Sequence, residues 1–472
     1  LVNNVHASAS PFLIRENLKG KWAFDGFVMS DWTSTYSTLE CIKGGLDLEM
    51  PRAQYFKKEL IKPLIESGVM TEAEIDEKVC NILQTLIAFG FLDRPQLDKN
   101  ISEDNQYSRE TAYKMASESA VLLKNDGILP LKPGRKNKTV ILGPNADVIP
   151  CGGGSGKVSP LYSISLYAGM QELGKNYPVQ LVTPDENGSY DTPENVKAIE
   201  SATTVIVVAG FNTKTEKENS DRTFTLPEGQ DELISFAAAH NQNVVTVVYA
   251  GGGFDMSKWM DKVKAIVLGW YPGQEGGLAL ARMLAGEFSP SGRLPISIEA
   301  KWEDNPVHDS YYPKEKAENK RGFTNRYVTY SEGVFMGYRG YDRLGTKPLF
   351  PFGYGLTYTT FDYKDIAVTP SGEGFDVTFT LTNTGSKAAA EVVQVYVGEQ
   401  NPTVARPKKE LKGYDKIYLN KGESRLVTIF LPKSAFEFYD VNIHDFRANN
   451  GKFNVMVGAS AEDIRLNAEI TR

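Results

Sequence analysis

The sequence has little of what metal sites, disulfide scaffolds and membrane spans are built from. Three cysteines (Cys41, Cys80 and Cys151) in 472 residues, with no C-x-x-C pair, exclude a disulfide framework and a zinc ribbon. The four histidines fall in no H-E-x-x-H or other ligand spacing, so no metal and no cofactor is expected. Apolar runs such as 204–210 and 265–269 are far shorter than the ~18 residues of a helical span, which argues against a membrane partner. No basic block occurs, and 59 acidic against 52 basic residues leave a net charge of −7, which argues against nucleic acid. The chain opens on Leu1 with no signal-peptide pattern after it, and so reads as a processed or truncated product. What is present, 41% hydrophobic and 11% aromatic residues, excludes a disordered or fibrous class. At roughly 150 residues per domain, the length predicts about three domains.

The hydrophobic rhythm changes twice along the chain. Residues 1–90 read as two strand-plus-helix units: the runs 24–29 and 45–51 are each followed by helical patterns. The helix over 71–89 opens with a T-E-A-E capping box. Residues 91–135 read as a linker, with a crossing helix over 107–124 and a turn at Asn125-Asp126-Gly127. From 136 to 300 the α/β alternation repeats. The β-branched runs 139–143, 204–210, 244–250 and 265–269, with amphipathic stretches at 228–240 and 275–287, predict a doubly wound α/β sandwich. A Pro-, Lys- and Tyr-rich connector is expected over 301–356. Period-two alternation then takes over from 357 to 472, in runs 375–381, 391–397, 425–430 and 453–457. About seven short strands there predict a fibronectin type III-like β-sandwich.

Three stretches could carry chemistry. Asp31, in Ser30-Asp31-Trp32, stands where an apolar run ends, the place at which parallel barrels present reacting side chains. Trp32 beside it offers a flat face for a sugar ring. The plainer reading of Asp31 is a helix cap. The charged loop 213–222 (TKTEKENSDR) follows an expected strand at its ligand-facing end, and offers Glu216, Glu218 and Asp221 as acids, with Arg222 to order them. The alternative is a solvated surface loop. The glycine-rich 151–158 (CGGGSGKV) is not a phosphate loop: Cys151 and Val158 occupy the places that a Walker motif gives to Gly and to Ser or Thr. It reads as a tight loop that lets backbone and Ser155 approach a ligand, or simply as a turn. No G-x-S-x-G elbow is present.

Together these stretches resemble glycoside hydrolase family 3, the β-glucosidase and β-xylosidase group. The resemblance runs in order along nearly the whole chain. It includes 20–32 (GKWAFDGFVMSDW), 45–51 (GLDLEMP), 119–131 (SAVLLKNDGILPL), 220–227 (SDRTFTLP), 270–277 (WYPGQEGG), 332–342 (EGVFMGYRGYD) and 350–361 (FPFGYGLTYTTF). It implies a fold in three parts: the C-terminal portion of a (β/α)8 barrel, the α/β sandwich and the fibronectin-like domain. It implies that Asp31 is the nucleophile. The acid/base is implied to be Glu218, four residues before Arg222, with Glu216 as the fallback. Trp32 and, less directly, Ser155 are implied as sugar contacts.

The implied activity is that of a retaining, exo-acting β-glycosidase, a β-glucosidase before a β-xylosidase, acting on oligo- or aryl-β-glycosides. Double displacement by two carboxylates then places the site at a domain interface. A non-catalytic carbohydrate-binding or scaffolding chain is the competing reading. The family resemblance favours a periplasmic or extracellular location. Two strand–helix units cannot close a barrel of ~250 residues, so the missing strands are expected from an upstream segment or a second chain. This chain alone is therefore expected to be inactive or very weak.

Overall fold

In the first of two units, Leu1–Glu103, the two apolar runs expected as strands lie side by side. The computed structural model describes residues 1–218, 220–312, 315–318 and 324–472, with the segments 315–318 and 324–327 described by their backbone alone. Met29 and Leu48 form a parallel bridge, in which the Ser30 N–H donates to the Leu48 carbonyl at 2.9 Å and the Leu48 N–H to that of Val28 at 3.1 Å. Helix α1 (Leu39–Gly44) lies between them in sequence, as a parallel pair requires. Helices α2 (Lys58–Glu66) and α3 (Glu72–Ala88) follow. Glu74 closes the start of α3 by accepting the Thr71 N–H at 2.8 Å, the capping interaction expected there.

A buried carboxylate organises this unit. The Asp47 side chain is fully buried and accepts from Lys19 Nζ at 2.7 Å, from the Val28 N–H at 2.7 Å and from Asn81 Nδ2 at 2.9 Å. Those donors replace the water that a buried charge loses. Lys78 Nζ stands 3.7 Å away, and burial lowers that ammonium's pKa.

The second unit, Asp104–Arg472, begins with helix α4 (Gln106–Ser119) and then the sheet strands β1 (Val121–Asn125), β2 (Thr139–Leu142), β3 (Val179–Val182), β4 (Thr204–Gly210), β5 (Val244–Tyr249) and β6 (Ala265–Leu268). Their order is β1-β6-β5-β4-β2-β3, parallel throughout except for β1, which pairs antiparallel with β6. Along β4, Val205, Val207 and Ala209 pack into one apolar cluster and Ile206 and Val208 into another. Successive side chains point to opposite faces, so burial of both makes the whole run apolar. Helices α5 (Leu166–Glu172), α6 (Pro193–Ser201), α7 (Gln230–His240) and α8 (Gly276–Ala285) connect these strands or follow them.

Two elements differ from expectation. The helix read over 107–124 stops at Ser119, and Val121, Leu122 and Leu123 form the sheet's antiparallel edge, buried to 1% exposure or less. Pairing with β6, more than a hundred residues later, decides that conformation. Strand β3 carries only four residues, partly exposed at the opposite edge, and leaves no run long enough to stand out. Of the stretch read as a connector, 313–314 and 319–323 lie outside the described residues.

The last part is a β-sandwich. A hairpin of β7 (Glu315–Glu318) and β8 (Thr324–Tyr327) precedes it. Strands β9 (Phe361–Ser371), β10 (Gly374–Asn383), β11 (Ala389–Glu399), β12 (Glu410–Leu419) and β13 (Ser424–Pro432) follow. The short pair β14 (Phe438–Asp440) and β15 (Asp445–Arg447) comes next, then β16 (Lys452–Gly458) and β17 (Ile464–Thr471). One sheet runs β13-β10-β9 and the other β12-β11-β16-β17, around a shared apolar core. This is the alternating pattern that the sequence carries from 357 onward.

A buried ion pair fastens the sandwich to the segment that follows α8. Arg293 Nη2 meets Glu391 Oε2 at 2.7 Å, both side chains are under 9% exposed, and the Tyr363 hydroxyl donates to the other Glu391 oxygen at 2.8 Å. Arg293→Ala is expected to cost about 3–5 kcal/mol, because it strands the Glu391 charge in the interior. The denaturant midpoint checks this, and an unchanged midpoint would show that the pair carries no stability.

Candidate active site

At the C-terminal edge of the parallel sheet, loops leave β2, β4, β5 and β6 together. Strands β2 and β4 are neighbours, yet the chain departs from β2 toward β3 and from β4 toward β5, so the order reverses between them. Ligands of open α/β sheets bind outside such a reversal, because diverging loops leave a crevice. The loop after β4 carries Glu216, Glu218 and Arg222. The loop after β2 carries the glycine-rich segment.

These two loops are zipped together by backbone. The Gly153 N–H donates to the Glu216 carbonyl at 2.9 Å, and Gly153 bridges Lys217. The glycines make the approach possible. A Cβ on Gly153 would lie 2.8 Å from the Thr213 carbonyl oxygen, and one on Gly154, where φ is +83°, would lie 2.4 Å from Glu218 Cβ. The stretch that superficially matches a phosphate loop therefore holds a second loop.

The two glutamates are held very differently. Glu218 stands on the surface, and its Oε2 accepts both the Ser155 hydroxyl at 2.6 Å and the Ser155 N–H at 2.8 Å. Those bonds favour the charged form: first the hydroxyl and then the amide of Ser155 lower its pKa below the usual carboxylate value. Glu216 is tied down from three sides. It accepts from the Tyr271 hydroxyl at 2.7 Å and from the Gly251 N–H at 3.1 Å, and Arg222 Nε lies 3.5 Å from it. Burial, and then the bond to Glu216, push the Tyr271 phenol up, so it stays a donor. Arg222 also donates to the Gly253 carbonyl at 2.7 Å and lies over the Phe211 ring.

Local sequence does not single out Tyr271 or Gly251 as chemistry-bearing. The available signal was weak: Tyr271 follows a strand end, inside the W-Y-P-G-Q-E-G-G stretch. Its neighbour Trp270 sits at φ +53°, an uncommon conformation for a bulky residue, with its indole N–H on the Ser119 carbonyl at 3.1 Å.

In the first unit, Asp31 and Trp32 stand together. Asp31 is exposed, and its Oδ1 accepts the Trp32 N–H at 2.7 Å. The Trp32 ring is 68% exposed. Behind them, buried Ser30 accepts the Met50 N–H on its hydroxyl at 2.9 Å, which ties the end of one run to the other. Thr33 donates its N–H to the Met50 carbonyl at 3.0 Å with φ at +61°, a strained conformation for a β-branched residue. Asp31 thus stands in solvent at the end of a fixed run. It does not cap α1, whose first residue is Leu39. Among the described residues no group of three or more His, Cys, Asp or Glu could hold a metal ion.

Comparison with known proteins adds the family. The glycosyl hydrolase family 3 C-terminal domain matches residues 120–358, and the fibronectin type III-like domain matches 391–461. Thermostable beta-glucosidase B of Acetivibrio thermocellus is 35% identical over 99% of this chain and 62% of its own length. An exo-alpha-(1->6)-L-arabinopyranosidase of Bifidobacterium breve is 34% identical over 98% of this chain and 61% of its own. The chain thus spans about three-fifths of the length of these curated relatives. Among solved structures, a Bifidobacterium adolescentis GH3 beta-glucosidase superposes with a TM-score of 0.89 at 32% identity, covering 99% of this chain and 68% of that one. Beta-glucosidase 3B from Thermotoga neapolitana, in complex with alpha-D-glucose, gives a TM-score of 0.86 at 28% identity, covering 98% of this chain and 68% of that one.

Proposed function

The chain belongs to glycoside hydrolase family 3, and from that premise we propose that it is the part of a retaining, exo-acting β-glucosidase that supplies both reacting carboxylates. Asp31 attacks the anomeric carbon and Glu218 protonates the departing oxygen. Glu218, now basic, then takes a proton from water, which releases the sugar with its configuration retained. The observation that carries this reading is the unequal treatment of the two glutamates. Glu216 is spent on holding the loop, whereas Glu218 faces solvent and, among the described residues, is hydrogen-bonded by Ser155. A proton donor has to be reachable by the leaving group, and an anchor does not. Trp32, exposed beside Asp31, offers a stacking face for the sugar ring. Ser155 acts in this reading by orienting Glu218.

Activity is assigned to the protein in which the barrel is complete, whichever chain supplies its other strands. The reading is tested on that protein with aryl β-glucoside, β-xyloside and α-L-arabinopyranoside, following the anomer released by NMR. Fastest turnover of the β-glucoside with retention supports it. Inversion, or no turnover of any of the three, contradicts it.

Ser155 gives a pH prediction with a definite sign. Its hydrogen bonds stabilise the charged Glu218 and lower its pKa, while the first step needs Glu218 protonated. Ser155→Ala is therefore expected to raise that pKa and to move the alkaline limb of the kcat/KM profile to higher pH. A limb that stays in place would mean that Ser155 does not set it.

A further inference from the structure

The loop after β2 contains a short exposed span that is tied down at both ends. At its start, Ser155 holds Glu218 through its N–H and its hydroxyl, and the Lys157 N–H turns back onto the Gly154 carbonyl at 3.1 Å. At its end, the Tyr162 hydroxyl donates to the buried Glu275 just before α8, and the Ile164 N–H donates to the Gln274 carbonyl at 2.8 Å. The Gly277 N–H, in the first turn of α8, completes this second anchor by donating to the Ile164 carbonyl at 3.1 Å. Between the anchors lie residues 156–161 (GKVSPL), all of them exposed.

Two of these side chains are large and apolar: Val158 is 74% exposed and Leu161 58%. Apolar residues scattered singly in solvent are ordinary. These two, with Pro160 between them, share one anchored span that starts at the residue holding the proposed proton donor. Glu218 gives its proton to the oxygen that joins the sugar to its leaving group, so the leaving group lies against Glu218 and the loop that orients it. Val158 is three residues beyond Ser155, at most about 11 Å along the chain, and the turn at 154–157 shortens that reach. A leaving group that extends past the glycosidic oxygen toward Ser155 therefore meets this span. Lys157 is its one charged residue, and its long stem lets the ammonium stay in water.

We propose that Val158 and Leu161 form a wall against the leaving group and make the site select apolar aglycones, alkyl or aryl. The inference rests on the hydrolysis proposed above and names the leaving groups that the same site favours.

The test is kcat/KM of the active protein for methyl, butyl and hexyl β-glucosides. The departing alcohols are similarly acidic, so chain length changes contact and not the ease of departure. A rise of about tenfold from methyl to hexyl is expected, a fraction of what full burial of the added methylenes would give. It should lie in KM, because the alkyl chain makes the same contact in the bound substrate and in the transition state. Val158→Ser and Leu161→Ser together are expected to flatten the series to within about twofold. Both side chains stand in solvent, so the melting temperature should not move. The proposal is overturned if kcat/KM does not depend on chain length, or if the double variant keeps the rise. It is equally overturned if a terminal carboxylate on the hexyl chain raises kcat/KM further, which would assign the selection to Lys157. In each of these outcomes the hydrolysis itself stands. If no β-glucoside is cleaved, aryl glucosides included, the reading beneath the inference fails and both fall together.

Discussion

Asp31→Asn is expected to lower kcat/KM for an aryl β-glucoside on the order of 10⁴-fold or more, the scale seen when a covalent nucleophile is removed. The folded state should not notice. The carboxylate is exposed, its one described hydrogen bond comes from the adjacent Trp32 N–H, and the Asn carbonyl oxygen can accept that bond equally well. An unchanged melting temperature together with lost turnover separates chemistry from folding. An Asn variant that kept near-native turnover would remove Asp31 from the reaction.

Glu218→Ala is expected to act selectively. Substrates with poor leaving groups should lose about 10²- to 10⁴-fold, the usual contribution of a positioned proton donor. Dinitrophenyl glycosides, which depart without protonation, should cleave their first bond almost normally and stall at the glycosyl–enzyme. Azide should then restore turnover by replacing the water that Glu218 activates. Glu216→Ala should behave differently, because it releases Tyr271, the Gly251 N–H and Arg222 together. It is expected to slow all substrates alike, with no rescue by azide. If Glu216→Ala shows the leaving-group dependence and Glu218→Ala does not, the two roles are exchanged.

Local sequence showed those parts of the fold whose environment is uniform. Strands β4, β5 and β6 are buried on both faces, so their residues are apolar apart from Thr204 and Thr246 and the runs stand out. The sandwich strands have one face in the core and one in solvent, and β13 alternates residue by residue from Leu426 onward. Strands β1 and β3 were not legible, because distant partners decide them. Val121–Asn125 follows an amphipathic helix without a break and becomes a strand only by pairing with β6.

The proposed site divides in the same way. Asp31, Trp32, Glu218 and Ser155 could be named from short stretches and their resemblance to a family. What distinguishes Glu218 from Glu216 could not. It depends on Ser155, 63 positions away, and on Tyr271, 55 positions away, and no local pattern encodes either contact. The glycine-rich segment looked like a ligand cradle for the same reason: its partner is another loop of the chain.

The covalent intermediate on Asp31 is the centre of this account. The active protein can be incubated with a 2-deoxy-2-fluoro-β-glucoside bearing an activated leaving group, digested, and its peptides weighed. The fluorine slows hydrolysis of the glycosyl ester, so the intermediate accumulates. The account predicts one fluoroglucosyl unit on the peptide containing Ser30-Asp31-Trp32, absent from the Asp31→Asn variant. A label on a peptide carrying a different carboxylate would contradict it, and so would turnover of the β-glucoside by an enzyme that this reagent neither labels nor inhibits.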